Sequence, residues 1–151
     1  MGDEEREKKL FNSGEAEKLL PLLEQVLHGA REKKKRIDEI DRELSQVQNR
    51  ILLYGGVVPP FGYLSEHKDE RDQLVAGVRE AVGRIEENGC VVKDLELGLV
   101  DFPTLINDEQ VYLCWKLGEA RIRFWHRMDE GYAGRKPLDG AEDLPDESKP
   151  N

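Results

Sequence analysis

From Asn12 to Ile51 the chain reads NSGEAEKLLPLLEQVLHGAREKKKRIDEIDRELSQVQNRI. Its apolar positions fall at Ala16, Leu19, Leu23, Val26, Ala30, Ile37, Ile40, Leu44, Val47 and Ile51, with spacings of three and four and Lys33 in the one missing slot. That period is a heptad seam, and its length predicts a single helix of about 40 residues, roughly 60 Å long. Asn12 with Glu15 three residues on makes a capping pair at its start, where Phe11 can staple against Ala16. Pro21 lies in the first turns and predicts a bend rather than an end. In the first half Leu20, Leu22 and Leu27 widen the apolar stripe, so that half needs cover from more than one side. The second half is flanked by Lys34, Arg36, Asp41, Glu43, Gln48 and Arg50, a narrow coiled-coil seam for which one partner helix is enough.

Working outward, Gly55-Gly56 and Pro59-Pro60-Phe61-Gly62 break the helix. Leu64, His67, Arg71, Leu74, Val78, Ala81 and Ile85 then continue a seam, predicting a second helix from about Ser65 to Glu87, stopped by Asn88-Gly89. An antiparallel return puts Ile85 near Lys33 and leaves the wide-striped end of the first helix to be covered by something else. Segment 90–126 is suited to that, because its period changes to two. Leu95, Leu97 and Leu99 alternate, as do Val111, Leu113 and Trp115, then Ile122 and Phe124. A two-residue turn at Gly118-Glu119 would pair Trp115 with Ile122, Leu113 with Phe124 and Val111 with His126. The expected class is therefore α+β: a long antiparallel helical hairpin over about 12–88, followed by a small antiparallel β-sheet. Residues 11–138 form one domain in this scheme, with a frayed N-terminus over 1–10. The acidic stretch 139–151, with five acids and one Lys, is expected to be a disordered tail.

Composition narrows the function classes. Among 151 residues, 36% are charged, and Lys+Arg 23 against Asp+Glu 32 leave a net charge of −9. Net acidity argues against nucleic-acid binding, since phosphate neutralisation needs a basic face. The one basic cluster, Arg31-Glu32-Lys33-Lys34-Lys35-Arg36, wraps around its helix and reads as a solvated midsection. No run of about 18 apolar residues points to a membrane span. The charged start predicts no secretory leader, and the two cysteines, Cys90 and Cys114, match neither a disulfide framework nor a zinc ribbon. A cytoplasmic setting is the expectation. Phosphate loops, dinucleotide fingerprints, H-E-x-x-H and G-x-S-x-G are all missing, and no cofactor is indicated.

One group could carry chemistry: Asp101, His126, Asp129 and Arg135. Asp101 follows Leu95-Leu97-Leu99 on one strand face, and His126 follows Ile122 and Phe124. Two strand spacings, roughly 10 Å, would separate their backbones, too far for a direct bond in a flat sheet but suited to a shared ligand, ion or water. Arg135, carried by Gly131 and Gly134, is the expected partner of Asp101; Glu119 would lie at the opposite end. Against this, Asp101 could simply cap the Phe102-Pro103 turn and His126 end a strand. Asp101 and His126 are also the candidate metal ligands, whereas both cysteines read as inert.

Several stretches are similar to a bacterial family described only as a domain of unknown function, number 2203. They are Val92-Lys93-Asp94-Leu95, Gly98-Leu99-Val100-Asp101-Phe102-Pro103, Val111 to Glu119, and Trp125-His126-x-x-Asp129-x-Gly131-Tyr132-x-Gly134-Arg135-x-Pro137-Leu138. Glu15-Ala16 and Leu19-Leu20-Pro21-Leu22-Leu23 fit as well, while Asn12-Ser13-Gly14 departs from the usual Thr-led opening. The resemblance implies a bacterial origin and brings no activity, substrate or catalytic residue with it. Two functions remain open. The favoured one is a non-enzymatic interaction module presenting the helical hairpin to a protein partner or a second copy. The alternative is a small-molecule- or metal-binding domain, conceivably a hydrolase, with its polar site at one edge of the sheet.

Overall fold

A computed structural model describes residues 9–55 and 61–138. Two helices are followed by a five-stranded antiparallel sheet, an α+β arrangement. Helix α1 spans Ser13–Tyr54 and α2 spans Phe61–Glu86. The strands are β1 (Val91–Asp94), β2 (Leu99–Ile106), β3 (Glu109–Lys116), β4 (Phe124–Arg127) and β5 (Lys136–Pro137), in that order across the sheet. Residues 1–8 and the acidic stretch 139–151 lie outside the described residues. Among those described, no helix is long and apolar enough to cross a membrane.

The chain divides into two compact units. One is His28–Val82, the greater part of the two helices. Within it, the polar seam residues His67 and Arg71 of α2 pair with flanking acids of α1, and Arg36 of α1 pairs with Glu70 of α2. The Arg36 guanidinium bridges Glu70 at 2.9 Å, Arg71 meets Asp41 at 2.6 Å, and His67 Nε2 lies 2.9 Å from Glu43. The Lys33 stem lies against Gly77, where an added Cβ would come within 2.8 Å of its Cε. Lys33 therefore sits opposite Gly77 and not opposite Ile85, about two helical turns from the expected register.

The other unit joins, among the described residues, 9–27 with 83–138. About four turns of α1 thus belong with the sheet, which is the cover that its wide stripe called for. Ala16, Leu20, Leu23, Val26 and Leu27 are buried there. Asn12 caps the helix by accepting the Glu15 N–H at 2.8 Å, and its amide donates to the Glu15 carboxylate. The Phe11 ring goes to the sheet, edge-on to Phe102 at 5.2 Å, and the Phe11 N–H donates to the Pro103 carbonyl at 2.7 Å. N–H and C=O of one strand residue point to the same side, so Pro103 lacks its N–H on the side away from β3 and disturbs no bond of the β2–β3 ladder.

The core face of the sheet carries Val100, Phe102 and Thr104 from β2, with Val111, Leu113 and Trp115 from β3, all buried. Two readings of this region need correction. Leu95 and Leu97 belong to a turn between β1 and β2, and Leu97 is exposed. Asp94 accepts the Leu97 N–H, and Gly98, at φ +71, sits so close to Leu117 that only glycine fits. The β3–β4 connection also runs from 117 to 123 instead of two residues, and its register is one residue away from that expected: Leu113 faces Trp125 and Tyr112 faces His126. A one-residue slip moves side chains to the other face. His126 consequently leaves the row of Val111 and Leu113 for that of Tyr112 and Cys114.

Candidate functional site

The slip decides what meets what. Asp101 on β2 is opposite Cys114 on β3, and Tyr112, two residues from Cys114, is opposite His126 on β4. Asp101, Cys114 and His126 therefore project from the same outer face of the sheet. All three are buried, because the chain after β4 folds back over them as a 3-10 turn at Tyr132–Gly134. They form the floor of a cavity of about 180 Å³, which Lys93, Leu99, Glu130 and Tyr132 also line.

Asp101 and His126 bond directly, with Nε2 3.0 Å from Oδ2. The expectation that two strand spacings are too far is overturned. An imidazole and a carboxylate leaning toward each other together span roughly 10 Å, and Cys114, the residue between them, is small enough to let them pass. The ligand atoms of Asp101, Cys114 and His126 all lie within 4.8 Å of one another.

On its other side, His126 Nδ1 lies 2.8 Å from the Arg127 carbonyl oxygen. A carbonyl only accepts, so Nδ1 carries a hydrogen and Nε2 turns to the carboxylate. Two lone-pair atoms, Nε2 and Oδ2, thus hold one proton between them. Burial raises the Asp101 carboxyl above its ordinary value, against the pull of His126. Burial likewise pushes the Cys114 thiol up to about 12, with the Asp101 charge adding to the effect. Cys90 is pushed to about 11 by burial, and its thiol donates to the Ile85 carbonyl at 3.2 Å, outside the group.

Arg135 is not the partner of Asp101. Its guanidinium makes a two-pronged bond to Glu119, at 2.9 and 3.1 Å, and lies 4.0 Å from the Phe124 ring centre and 4.3 Å from that of Tyr132. Burial works against its charge, and the Glu119 carboxylate more than restores it. Glu119, expected at the far end of the sheet, is buried and also accepts the Lys116 N–H at 2.7 Å. Arg135 nevertheless bears on the group, since its charge opposes the burial that raises the Cys114 thiol. Glu119, Arg135, Cys114, Asp101 and His126 form a polar file under the returning segment. Asp129 is exposed in the turn after β4 and does not line the cavity. Its neighbour Glu130 does, holding the Arg127 N–H and Lys136.

Cys114 and Glu119 were missed as members of this file. The signal for Cys114 was the Asn107-Asp108 turn, which sets it opposite Asp101, and Glu119 was hidden by the two-residue turn assumed at Gly118-Glu119.

Neither the curated proteins nor the solved structures give a match to this chain. A family model does, over residues 9–138, which contain every residue of the site. The chain belongs to that family, described as "Uncharacterized conserved protein (DUF2203)".

Proposed function

We propose that the sheet unit is a ligand-binding domain whose site is the cavity above Asp101, Cys114 and His126. The observation that carries this is the Asp101–His126 pair itself, each residue 2% exposed, at the floor of a cavity instead of in the packed core. Burying an ionisable pair costs several kcal/mol per ion, and apolar replacements of similar volume are often neutral or stabilising. Stability alone is a weak reason for the pair. A cavity of about 180 Å³ is near the size that holds benzene in an engineered protein, so the ligand is an ion or a small molecule.

The test is ligand-observed NMR with a library of small anions, cations and neutral polar fragments. Removing one partner strands the other, so Asp101→Asn with His126→Gln is the informative variant. Hits on the wild type that vanish in a folded double variant are expected. Equal binding by both would refute the proposal.

A second role, interaction through the helical hairpin, has its own support. Leu52, Leu53 and Tyr54 at the end of α1 are 72%, 73% and 81% exposed, and no charged residue occurs from Ile51 to Leu64. Apolar groups of this size exposed in sequence mark contact surfaces. Sedimentation velocity across concentrations, with Leu52→Ser and Leu53→Ser as the control, tests whether the partner is a second copy.

A further inference from the structure

We infer that Asp101, Cys114 and His126 form a transition-metal site with one open position facing the cavity. The inference rests on the ligand-binding role proposed above and names its ligand.

The donor set comes first. A thiolate, an imidazole nitrogen and a carboxylate oxygen are the ligands of zinc and its neighbours, and the sulfur disfavours magnesium and calcium. Distances agree with the chemistry. Zinc bonds of about 2.0–2.3 Å at tetrahedral angles put ligand atoms roughly 3.3–3.8 Å apart. The three atoms here lie within 4.8 Å of one another, and His126 and Asp101 approach to 3.0 Å. Small side-chain adjustments open that pair around an ion. His126 also carries the feature typical of a metal-bound histidine, a second ring nitrogen bonded to a backbone carbonyl, which aims the free lone pair of Nε2 inward. On the sulfur side, Arg135 is held by Glu119, and its charge favours the Cys114 thiolate.

The balance is simple. A divalent ion displaces the proton shared by Asp101 and His126 and the proton of the Cys114 thiol. Two positive charges enter and two protons leave, so the buried site keeps the net charge it had. That matters among side chains this buried, where an uncompensated charge is expensive. Three protein ligands leave a fourth tetrahedral position, and the cavity above supplies the room for water or a small ligand.

The experiment uses the full chain, freed of metal by chelator and titrated with Zn²⁺ or Co²⁺ alone. One ion per chain is expected, with release of about two protons measured by calorimetry in buffers of different ionisation enthalpy. The Co²⁺ complex should show a thiolate charge-transfer band and the strong visible bands of four-coordination. Cys114→Ser should abolish the charge-transfer band, and Asp101→Asn and His126→Gln should each weaken Zn²⁺ binding by more than about 100-fold, beyond the range of outer-shell changes. Cys90→Ser should retain the full spectrum. Where a variant fails to fold, the wild-type spectrum still decides. A Co²⁺ complex without a thiolate band, or no binding tighter than millimolar, overturns the site. If fragment hits persist in excess chelator after that failure, the ligand-binding role stands with a non-metal ligand. If both fail, the group is a structural polar network.

Discussion

Replacing Glu119 by alanine isolates the buried ion pair that supports the site. Arg135 is 11% exposed in its side chain and Glu119 2%, so little solvent screens their contact. The change removes both carboxylate prongs and leaves the guanidinium between Phe124 and Tyr132 with its charge uncompensated. Breaking one side of such a pair costs about 3–5 kcal/mol. The Lys116 N–H also loses its acceptor, which adds about 1 kcal/mol. The Trp115 indole keeps its bond, because it donates to the Glu119 backbone carbonyl. A loss of about 4–6 kcal/mol in urea denaturation, or roughly 8–24 °C in melting temperature for a domain of this size, is expected. Glu119→Leu combined with Arg135→Met should recover most of the loss, since no charge is then stranded. A loss below about 1 kcal/mol for Glu119→Ala would refute the reasoning, because it would mean that Arg135 finds water as readily as it finds Glu119.

Lys33→Leu should stabilise by about 1 kcal/mol and raise the urea midpoint, because an apolar side chain completes the seam over Gly77 and one charge leaves the run of Arg31, Lys34, Lys35 and Arg36; a lower midpoint would expose a partner for the Lys33 ammonium. Gly29→Ala, in the middle of α1 with nothing within 4 Å of the added Cβ, should stabilise by about 0.5–1 kcal/mol in the same assay. Asp41, Glu70 and Glu130 are held below the usual carboxylate range by Arg71, Arg36 and Lys136. Their contribution is therefore present above about pH 4 and lost as pH falls through their depressed values. Asp101 works in the opposite sense: burial raises its folded value, so stability declines as pH climbs from about 4 toward that value. Urea midpoints across pH should show this decline flattened in Asp101→Asn, and an unchanged slope would contradict the burial.

How much of this was legible follows from the physics of each element. The seam from Ala16 to Ile51 specified α1, because a period near 3.5 over many turns has no competing interpretation. Asn12 and Glu15 specified its start. The sheet was legible as a sheet but not in register. Leu95 and Leu97 alternate with polar residues inside a turn, and over so few residues alternation does not discriminate. Asn107-Asp108, both at positive φ, form the two-residue turn that aligns β2 with β3, and this asparagine-led signal went unread. Gly118 drew attention instead, although the chain there needs seven residues to bury Glu119. Register is settled by long-range partners such as Arg135, which a local pattern does not contain. Asp101 and His126 could be singled out as ionisable residues following apolar rows, but their direct contact, and the part played by Cys114, depended on that register.

The unit that carries the site is discontinuous along the chain, with His28–Val82 inserted between its two parts. Closing a flexible loop of those 55 residues would cost about 3.5 kcal/mol of chain entropy. The insert is no such loop, since its two helices pair at steadily growing separation, Glu43–His67, then Asp41–Arg71, then Arg36–Glu70, and can zip in that order. Once zipped, it delivers Leu27 and Gly83 to the same unit, and the sheet condenses on the start of α1 at little further entropic cost. Ion pairs such as Arg36–Glu70, modest in what they add to equilibrium stability, then act chiefly on timing. Weakening them should slow refolding of the sheet more than it hastens unfolding, a high-φ signature located far in sequence from the strands whose assembly it governs.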